Sequence, residues 1–400
     1  MTVMTATYRV VTPMFIGDAD QKATSLRPPS IKGALRFWWR ALNWGNCLYD
    51  VHGQQSEALK SLHKKEADLF GSAADDNDSG QGRFILSVQY SGRVLEPGQI
   101  PIAHAGHQYL LGQGLYHFGK KYLRSALEPG ELRLRLLFRY KTSDADRQSI
   151  AKALLALGLL GGLGSRGRKG FGSLAIQAIE NSDLQVPRNL DALQKTLKNL
   201  MTTMPDKLPP YTAFSLHSRI DGIPALNASQ NSWALLGDMG SEMQLYRSWG
   251  QNGKVSGKPS EKNFSDDHDL ARDAALGKMV INHPQRAVFG LPHNYFFSSL
   301  AGPNNKLDVN AVSPKTGGGW SDIGSNRRAS PLFIHLHEFP DQSRAGIISL
   351  LPAQFLPDSW QIGLKNKGST QRFQADPDWD VLYRFMDRFK NRRPLLENSL

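Results

Sequence analysis

Residues 158–174 read GLLGGLGSRGRKGFGSL, a glycine-rich segment that carries Arg166, Arg168 and Lys169 between its glycines. An apolar helical pattern precedes the segment, and a short strand-like run at 174–179 follows it. Glycine lets the backbone turn through positive φ and approach a ligand closely. Three cations in such a loop favour an anionic ligand, above all a phosphate backbone. The candidate loop glycines are Gly161, Gly162, Gly164, Gly167, Gly170 and Gly172.

The order of the flanking elements argues against a nucleotide cofactor. Gly162–Gly167 formally matches G-x-G-x-x-G, but that fingerprint needs a strand before it and a helix after it. A Walker A loop needs Ser or Thr directly after its lysine, and here Lys169 is followed by glycine. We therefore expect no cofactor. A surface turn whose cations are merely solvated stays open as the alternative reading.

The composition indicates a basic protein with an acidic partner. The 400 residues suggest two domains, and 48 Lys and Arg against 36 Asp and Glu give a net charge of +12. The excess favours nucleic acid first and an anionic membrane surface second. No apolar run is long enough to span a membrane, no secretory signal opens the chain, and Cys47 is the single cysteine. We expect a soluble, cytoplasmic protein.

The first predicted helix has an apolar face and a basic face. A strand at 5–17 precedes it, and the helix is expected to begin at Ile31 with Ser30 as its cap. Helical spacing places on one face Ile31, Leu35, Trp38 and Leu42. The opposite side carries Lys32, Arg36, Trp39 and Arg40. Trp39 on this side leans towards exposure, and we expect it either to stack on a base or to be buried against the second domain.

The remaining patterns of the first half complete a β-α-β-β-α-β order. Strands are predicted at 84–92, 132–140 and 174–179, with a helix before the glycine-rich loop. The second of these strands has a basic face formed by Arg133, Arg135 and Arg139. We expect this face to contact the second domain or a neighbouring subunit. The order is that of ferredoxin-like and RNA-recognition folds. A long insertion occupies 93–131.

The second half repeats the mixed pattern less clearly. Residues 181–210 are predicted to connect a domain at 1–180 to one at 211–400, with a mobile insertion near 250–267. Strands are expected at 211–218, 287–297, 331–339 and 346–352, and a last helix from Trp379 to Phe389. The predicted fold class is α+β, with two ferredoxin-like (RRM-like) domains of which the second is degenerate.

With these segments in view, the chain resembles the RAMP proteins of CRISPR systems, specifically the large two-domain RAMP subunit of the type III-B Cmr effector complex. The glycine-rich loop is general to RAMP proteins, and the first helix is specific to this subunit. Asp18 stands where the family more often has another glycine. The matching stretches are TPMFIGDADQ at 12–21, RPPSIKGALRFWWRAL at 27–42, LFGS at 69–72, GGLGSRGRKGFG at 161–172 and RRASPL at 327–332.

The resemblance implies a non-catalytic RNA-binding subunit that caps the Cmr assembly near the 3′ region of the guide and helps to capture target RNA in antiviral defence. Its implied partners are the CRISPR guide RNA, the target RNA and a neighbouring RAMP subunit of the backbone. We expect no membrane partner. The candidate RNA contacts are Lys32, Arg36, Trp39, Arg40, Arg166, Arg168 and Lys169, with Arg27, Arg327 and Arg328 in second rank.

A metal-independent guide-processing endoribonuclease is the competing function, because some RAMP relatives process guide precursors. Such cleavage needs a general base and a general acid, which the insertion offers in His104, His107, His117, Tyr109 and Tyr116. We expect loop contacts from these side chains rather than catalysis. We also expect no metal site, because His104 and His107 lack a third ligand and the acids Asp18, Asp20, Asp75, Asp76 and Asp78 read as loop acids.

Overall fold

The computed structural model describes residues 2–18, 20–72, 80–300, 302–322 and 324–397. The first half begins with one strand, two helices and a second strand, at β1 Val3–Val10, α1 Pro28–Asp50, α2 Gln55–Phe70 and β2 Phe84–Tyr90. An insertion follows, with a 3₁₀ turn at Pro97–Gln99 and short elements at β3 Val94–Leu95, α3 Ala105–Leu111, β4 Tyr116–His117, β5 Lys121–Tyr122 and β6 Ala126–Leu127. The half ends with β7 Gly130–Phe138, α4 Asp144–Leu160 and β8 Leu174–Glu180.

The first sheet has the order β2-β7-β1-β8, and every neighbouring pair is antiparallel. The predicted β-α-β-β-α-β order is therefore confirmed for this half. Several boundaries differ from the prediction: β2 ends at Tyr90 and β7 spans Gly130–Phe138, two residues earlier than expected. The first strand ends at Val10, and α1 begins at Pro28 with Arg27 rather than Ser30 preceding it. Prolines suit the first turn of a helix because its N–H groups lack intrahelical partners.

The second half starts with α5 Leu190–Leu200, β9 Arg219–Pro224 and α6 Ser232–Arg247. Two 3₁₀ segments at Gln285–Phe289 and Gly302–Asn305 lie within the next stretch, which also holds β10 Lys254–Val255, β11 Lys258–Pro259, α7 Ser265–Ala275, β12 His293–Phe296 and β13 Lys306–Val312. The last elements are β14 Leu332–Glu338, β15 Arg344–Leu350, β16 Gln361–Lys365, β17 Thr370–Gln374, α8 Asp380–Met386 and β18 Arg393–Leu396.

The second half contains a sheet ordered β14-β15-β9-β18, flanked by α6 and α8. Its elements follow the chain as β9-α6-β14-β15-α8-β18, which repeats the order of the first half. A further sheet, β12-β13-β16-β17, is built from segments inserted before β14 and after β15. The sequence patterns did not indicate this additional sheet.

Several predicted elements of the second half are wrong or shifted. Residues 211–218 are irregular, and the strand follows at Arg219. Residues 287–297 divide into a 3₁₀ turn and β12 because a glycine and a proline separate them. The last helix stops at Met386, so Phe389 lies beyond it. Residues 250–267 hold the β10–β11 hairpin and the first residues of α7, and the predicted connector contains α5; the predicted domain bounds and the mobility of the insertion stay predictions.

The two halves share their apolar cores. Helix α4 packs against α1 and β8 and also against β14 and β15. Phe333 and Ile347 of the second half lie in the same buried cluster as Trp38 and Leu154 of the first. Phe171 of the glycine-rich loop is buried with Leu336 in a second shared cluster. Burial across this boundary fixes how the loop faces the second half.

Helices α3 and α6 form another contact between the halves, and it depends on glycine. A Cβ added at Gly106 would lie 1.9 Å from the carbonyl oxygen of Gly237 and 2.6 Å from the backbone nitrogen of Ser241. Both are backbone atoms, so a side-chain rotation cannot relieve the clash. The close approach of the two helices therefore requires Gly106.

We expect Gly106→Ala to lower the free energy of unfolding by about 1–3 kcal/mol through overpacking. Urea unfolding followed by circular dichroism measures the change. Gly33→Ala is the matched control, because Gly33 lies in α1 with nothing within 4 Å of an added Cβ. The control is expected to gain roughly 0.5–1 kcal/mol from helix propensity. Equal stabilities for the two variants would contradict the close helix contact.

Candidate nucleic-acid interface

The glycine-rich loop is tied to the chain that follows β1. The Gly172 and Ser165 amides donate to the carbonyl oxygens of Pro13 (3.0 Å) and Phe15 (2.7 Å). The Thr12 hydroxyl donates to the carbonyl oxygen of Gly170 at 2.7 Å. Gly172 has a φ of +64°, and a Cβ there would lie 2.2 Å from the carbonyl oxygen of Leu163. The loop is thus a folded backbone unit rather than a solvated turn.

The loop is also tied to β14 in the second half. The Ile334 amide donates to the carbonyl oxygen of Arg168 at 3.0 Å. His335 donates from Nδ1 to the carbonyl oxygen of Gly161 at 2.7 Å, and its Nε2 lies 3.1 Å from Nδ1 of His337. Both imidazoles are fully buried. Burial lowers the pKa of His335 to about 4, so this imidazole is neutral at pH 7.

Between the loop and the second half lies a cleft of about 650 Å³, called here the basic cleft. Helix α1 lines it with Ala34, Phe37 and Trp38, and the second half adds the stretches 289–293 and 327–330 and Phe333. Six cations share this space, whereas none of its described lining residues is acidic. The six are Arg166, Arg168, Lys169, Arg247, Arg327 and Arg328.

The structure therefore brings together five cations that the sequence named in two distant segments. Four of the named glycines, Gly161, Gly162, Gly164 and Gly167, line the cleft with them. The other two have a packing role. Gly170 has a φ of +85°, and a Cβ there would lie 2.5 Å from a side-chain carbon of Leu236 and 3.0 Å from one of Leu336. Gly172 accommodates the backbone of Leu163, as described above.

The three loop cations have different environments. Arg166 is exposed at a φ of +66°, a backbone conformation that costs a residue other than glycine about 1 kcal/mol or more. Arg168 lies over the rings of Phe333 (4.6 Å) and Phe37 (5.2 Å) and donates to the carbonyl oxygen of Ser330 at 2.6 Å. Arg168 thus fastens the loop to the second half, while Arg166 remains open to a ligand.

Lys169 is half-buried, and its Nζ lies 3.9 Å from the Met243 sulfur. Burial, followed by the positive charges of Arg247, Arg166 and Arg168, lowers the pKa of Lys169 to about 7. The amine is held in a positive field, and no acidic residue of the described part of the chain pairs with it. An anion in the cleft would relieve that repulsion.

Several buried nitrogen atoms of the cleft residues lack a hydrogen-bond partner within the described part of the chain. They are Nε of Arg247, Nε and Nη2 of Arg328, and Nδ1 of His293. Leaving buried donors without partners costs free energy, about 1–3 kcal/mol for each group. Such groups commonly mark a place that water or a ligand fills. Their concentration around one cleft points to an anionic ligand with several oxygen acceptors.

The basic side of α1 faces a different place from the glycine-rich loop. Lys32 and Arg36 line a second groove of about 600 Å³, together with Arg139. Lys32 Nζ donates to the carbonyl oxygen of Phe70 at 3.2 Å, and Arg36 donates to that of Gly71. These cations engage the C-terminal end of α2, where carbonyl groups are unsatisfied. Lys32 and Arg36 therefore line a groove separate from the basic cleft, and their predicted RNA contacts stay predictions.

Arg40 and Arg27 also lie outside the lining of the basic cleft. The Arg40 Nη1 atom donates to both carboxylate oxygens of Glu66, at 3.0 and 3.2 Å. Arg27 is exposed and immediately precedes α1. Neither the Arg40–Glu66 pair nor the exposed position of Arg27 tests a role in RNA binding. RNA contacts by these cations therefore stay predictions.

The expected exposure of Trp39 is wrong, because only 3% of its surface is accessible. Its indole nitrogen donates to the Ser149 hydroxyl at 2.6 Å, and its ring packs edge-to-face with Phe70. All of these contacts lie within the first half. The helical turn simply places Trp39 between α2 and α4, so the ring is not presented for base stacking.

The histidines of the insertion have separate environments. His107 is buried with its ring stacked 3.9 Å from that of Trp233, and its Nε2 lies 2.8 Å from the carbonyl oxygen of Trp233. Burial lowers the pKa of His107 to about 4. His104 precedes α3, and its amide donates to Nδ1 of His107 at 3.2 Å. His117 is exposed in the β4–β5 hairpin.

Two negative findings concern the described residues only. None of their helices is long and apolar enough to cross a membrane. No three His, Cys, Asp or Glu side chains among them are grouped to hold a metal ion. Asp75, Asp76 and Asp78 lie outside the described residues.

Sequence reasoning missed Arg247 and His293 as cleft residues. Arg247 is the last residue of α6, and His293 begins β12. Neither stands in a motif. Only the packing of α6 and β12 beside the loop places them in the cleft, and no local pattern signals that packing.

Comparison with known proteins finds a family model that matches part of the chain and relatives that are similar to it. Residues 7–175 match the RAMP superfamily model. The Cmr subunit Cmr1-1 of the Pyrococcus furiosus CRISPR system is 22% identical over 389 residues, which is 92% of this chain and 90% of that protein. Cmr1-2 of the same organism is 24% identical over 180 residues, 42% of this chain and 92% of the relative.

Two solved structures share the fold. The crystal structure of Cmr1 from Pyrococcus furiosus (apo form) aligns over 100% of both chains, with a TM-score of 0.57 and 17% identity. A chain of the type III-B Cmr-beta complex bound to cognate target RNA aligns over 97% of this chain and 98% of its own length, with a TM-score of 0.51 and 11% identity.

The environment of Lys169 predicts a pH dependence of anion binding. A pKa near 7 leaves the amine protonated below that pH and neutral above it, so affinity for single-stranded RNA is expected to rise as pH falls from 8 to 6. Fluorescence anisotropy at constant salt measures the change. Lys169→Arg keeps the charge throughout and is expected to flatten the profile. An equally steep profile in that variant would contradict the assignment to Lys169.

Proposed function

We propose that this chain, a RAMP superfamily protein related over its full length to Cmr1, is a non-catalytic RNA-binding subunit of a type III-B CRISPR Cmr complex. The observation that carries the proposal is the basic cleft, where six cations meet without an acidic residue among the described lining. A phosphodiester backbone supplies the repeated negative charges that such a cluster needs.

The unpartnered nitrogens around the cleft support a specific phosphate ligand rather than a surface that attracts polyanions only through its general charge. An arginine fork matches two phosphate oxygens at once, and Arg328 has both Nε and Nη2 buried and unpartnered. Arg166 and Arg327 are exposed and can meet the backbone from solvent. The cleft thus combines cations open to solvent with buried, unpartnered nitrogen atoms of the second half.

In this proposal the chain consists of two ferredoxin-like domains and caps the assembly near the 3′ region of the guide, where it contributes to target capture in antiviral defence. Its partners would be guide RNA, target RNA and a neighbouring RAMP subunit. The resemblance to Cmr1 supports this placement, and one relative of the same fold belongs to a complex bound to cognate target RNA.

The open face of the first sheet is the surface we assign to a neighbouring subunit. Helices α1 and α4 cover the other face, whereas Arg133 and Arg135 are exposed and share a shallow groove with Thr5, Ser87, Gln89 and Glu180. Charges of both signs stand in this groove. A mixed polar surface fits a protein partner better than a phosphate backbone.

The decisive experiment removes a cleft cation without straining the fold. Arg166→Gly deletes the charge and supplies the residue that a φ of +66° favours. We expect its affinity for single-stranded RNA to fall on the order of tenfold, as for loss of a charged hydrogen bond. The slope of log affinity against log salt should decrease by roughly 0.7, the value for one phosphate on a single strand. Arg327→Ala is expected to act in the same direction.

Arg393→Ala is the matched control, because Arg393 pairs with Asp191 at 3.1 Å and lies outside the cleft lining. Its net charge changes equally, but its affinity and salt slope should stay at the wild-type values. The same samples run on a gel should show intact RNA. If the cleft variants and the control variant lose the same affinity for RNA, the cleft contributes only general charge attraction. If the protein cleaves a repeat RNA and His117→Ala abolishes that cleavage, the endoribonuclease function is supported instead.

A further inference from the structure

The β4–β5 hairpin presents a phenylalanine to solvent. Phe118 is 84% exposed, the highest value for any aromatic side chain among the described residues. It lies at the tip, between the paired residues Tyr116 and His117 on one side and Lys121 and Tyr122 on the other. Single exposed apolar residues are common on protein surfaces, and the residues around Phe118 are what distinguish this one.

Two exposed lysines lie in the hairpin beside Phe118. Lys120 and Lys121 are both exposed, and the Lys121 Nζ atom lies 5.7 Å from the centre of the Phe118 ring. An aromatic ring accompanied by lysines is the combination with which proteins hold single-stranded nucleic acid, because the ring stacks on a base while the cations follow the backbone. An apolar protein partner would instead find charge on several sides of the ring.

The hairpin tip has a defined conformation. The His117 imidazole accepts at Nδ1 from the backbone amides of Gly119 (3.2 Å) and Lys120 (3.3 Å), which closes the turn. The rings of Tyr116 and Tyr122 pack edge-to-face at 5.5 Å, and the Tyr122 hydroxyl donates to the carbonyl oxygen of Pro101 at 2.6 Å. A pre-ordered hairpin backbone loses less entropy when RNA binds to it.

The base of the hairpin rests on the glycine-rich loop. The Tyr122 ring stacks on Phe15 at 6.0 Å, and the Phe15 carbonyl oxygen accepts from the Ser165 amide at 2.7 Å. The Arg166 guanidinium lies beside Gly112, where an added Cβ would be 2.7 Å from its Nη2 atom. The strand rise of about 3.3 Å per residue keeps Phe118 within roughly 10 Å of this base.

We propose that Phe118 is a stacking platform for one unpaired base of the RNA whose backbone occupies the basic cleft. The inference rests on the proposed function, and it adds a contact with a base to contacts with phosphates. Stacking accepts any base, so Phe118 would hold RNA of any guide sequence. Arg166, at the mouth of the cleft, would then contact the phosphate next to the stacked nucleotide.

The test compares Phe118→Ala, Phe118→Leu and Phe118→Trp in binding to a labelled single-stranded RNA. Loss of the ring in the Ala and Leu variants is expected to weaken affinity from about fivefold to more than a hundredfold, the range for one stacked base. The salt slope should not change, because no phosphate contact is lost. Phe118→Trp is expected to bind at least as tightly as wild type. Tyr49→Ala, at a tyrosine 79% exposed on α1, is the control and should be neutral.

An abasic site moved along the RNA gives a second readout. One position is expected to weaken binding to wild type and leave binding to Phe118→Ala unchanged, because ring and base act as a pair. One outcome is that the wild-type protein binds RNA, that Arg166→Gly weakens this binding, and that Phe118→Ala leaves it unchanged. This outcome overturns the stacking inference and leaves the proposed function standing. If wild type shows no salt-dependent RNA binding, both are overturned.

Discussion

The structure depends on the attachment of the glycine-rich loop to β14. The His335 imidazole holds the carbonyl oxygen of Gly161, and the Ile334 amide holds that of Arg168. The bonds are buried, so breaking them would leave polar groups without water as a substitute. One wall of the basic cleft is the loop and the other is the second half, and this attachment keeps the walls together.

Apolar packing makes the same attachment specific. Gly170 leaves room for Leu236 and Leu336 of the second half, and Arg168 is bracketed by one ring from each half. These contacts stabilise a loop whose cations repel one another. The repulsion is visible in Lys169, whose pKa falls to about 7 through burial and the charges around it. The fold therefore tolerates an electrostatic cost that a polyanion would remove, which is typical of a binding site rather than of a solvated surface.

The sequence predicts the first half well because its signals are local. Alternating leucines in 132–138 mark a strand, and the apolar spacing of α1 and α4 marks two helices. The boundary of α1 was misplaced because two prolines start the helix before the apolar pattern begins. The second half was harder to predict, because β9 follows an irregular stretch rich in strand-forming residues and the sheet β12–β13–β16–β17 is assembled from separated segments.

The residues of the basic cleft likewise divide into those that a local sequence pattern reveals and those that only tertiary packing brings to the site. Arg166, Arg168 and Lys169 were found because they stand in one motif, and Arg327 and Arg328 through a family-like stretch, whereas Arg247 reaches the cleft only through tertiary packing. Helical periodicity did place Lys32, Arg36 and Arg40 on one side of α1, but it could not show that this side faces α2. Trp39 shows the same limit, since a position opposite the apolar stripe became buried once α2 and α4 packed around it.

The central claim is that both halves form one RNA site, and photochemical crosslinking tests it most directly. The measurement irradiates the chain bound to a guide RNA that carries photoreactive nucleotides and identifies the crosslinked peptides by mass spectrometry. The account predicts crosslinks in two separated segments, the loop at 161–172 and the stretch at 327–330, in the same complex. Crosslinks confined to the open face of the first sheet, or to the groove beside Lys32 and Arg36, would contradict it.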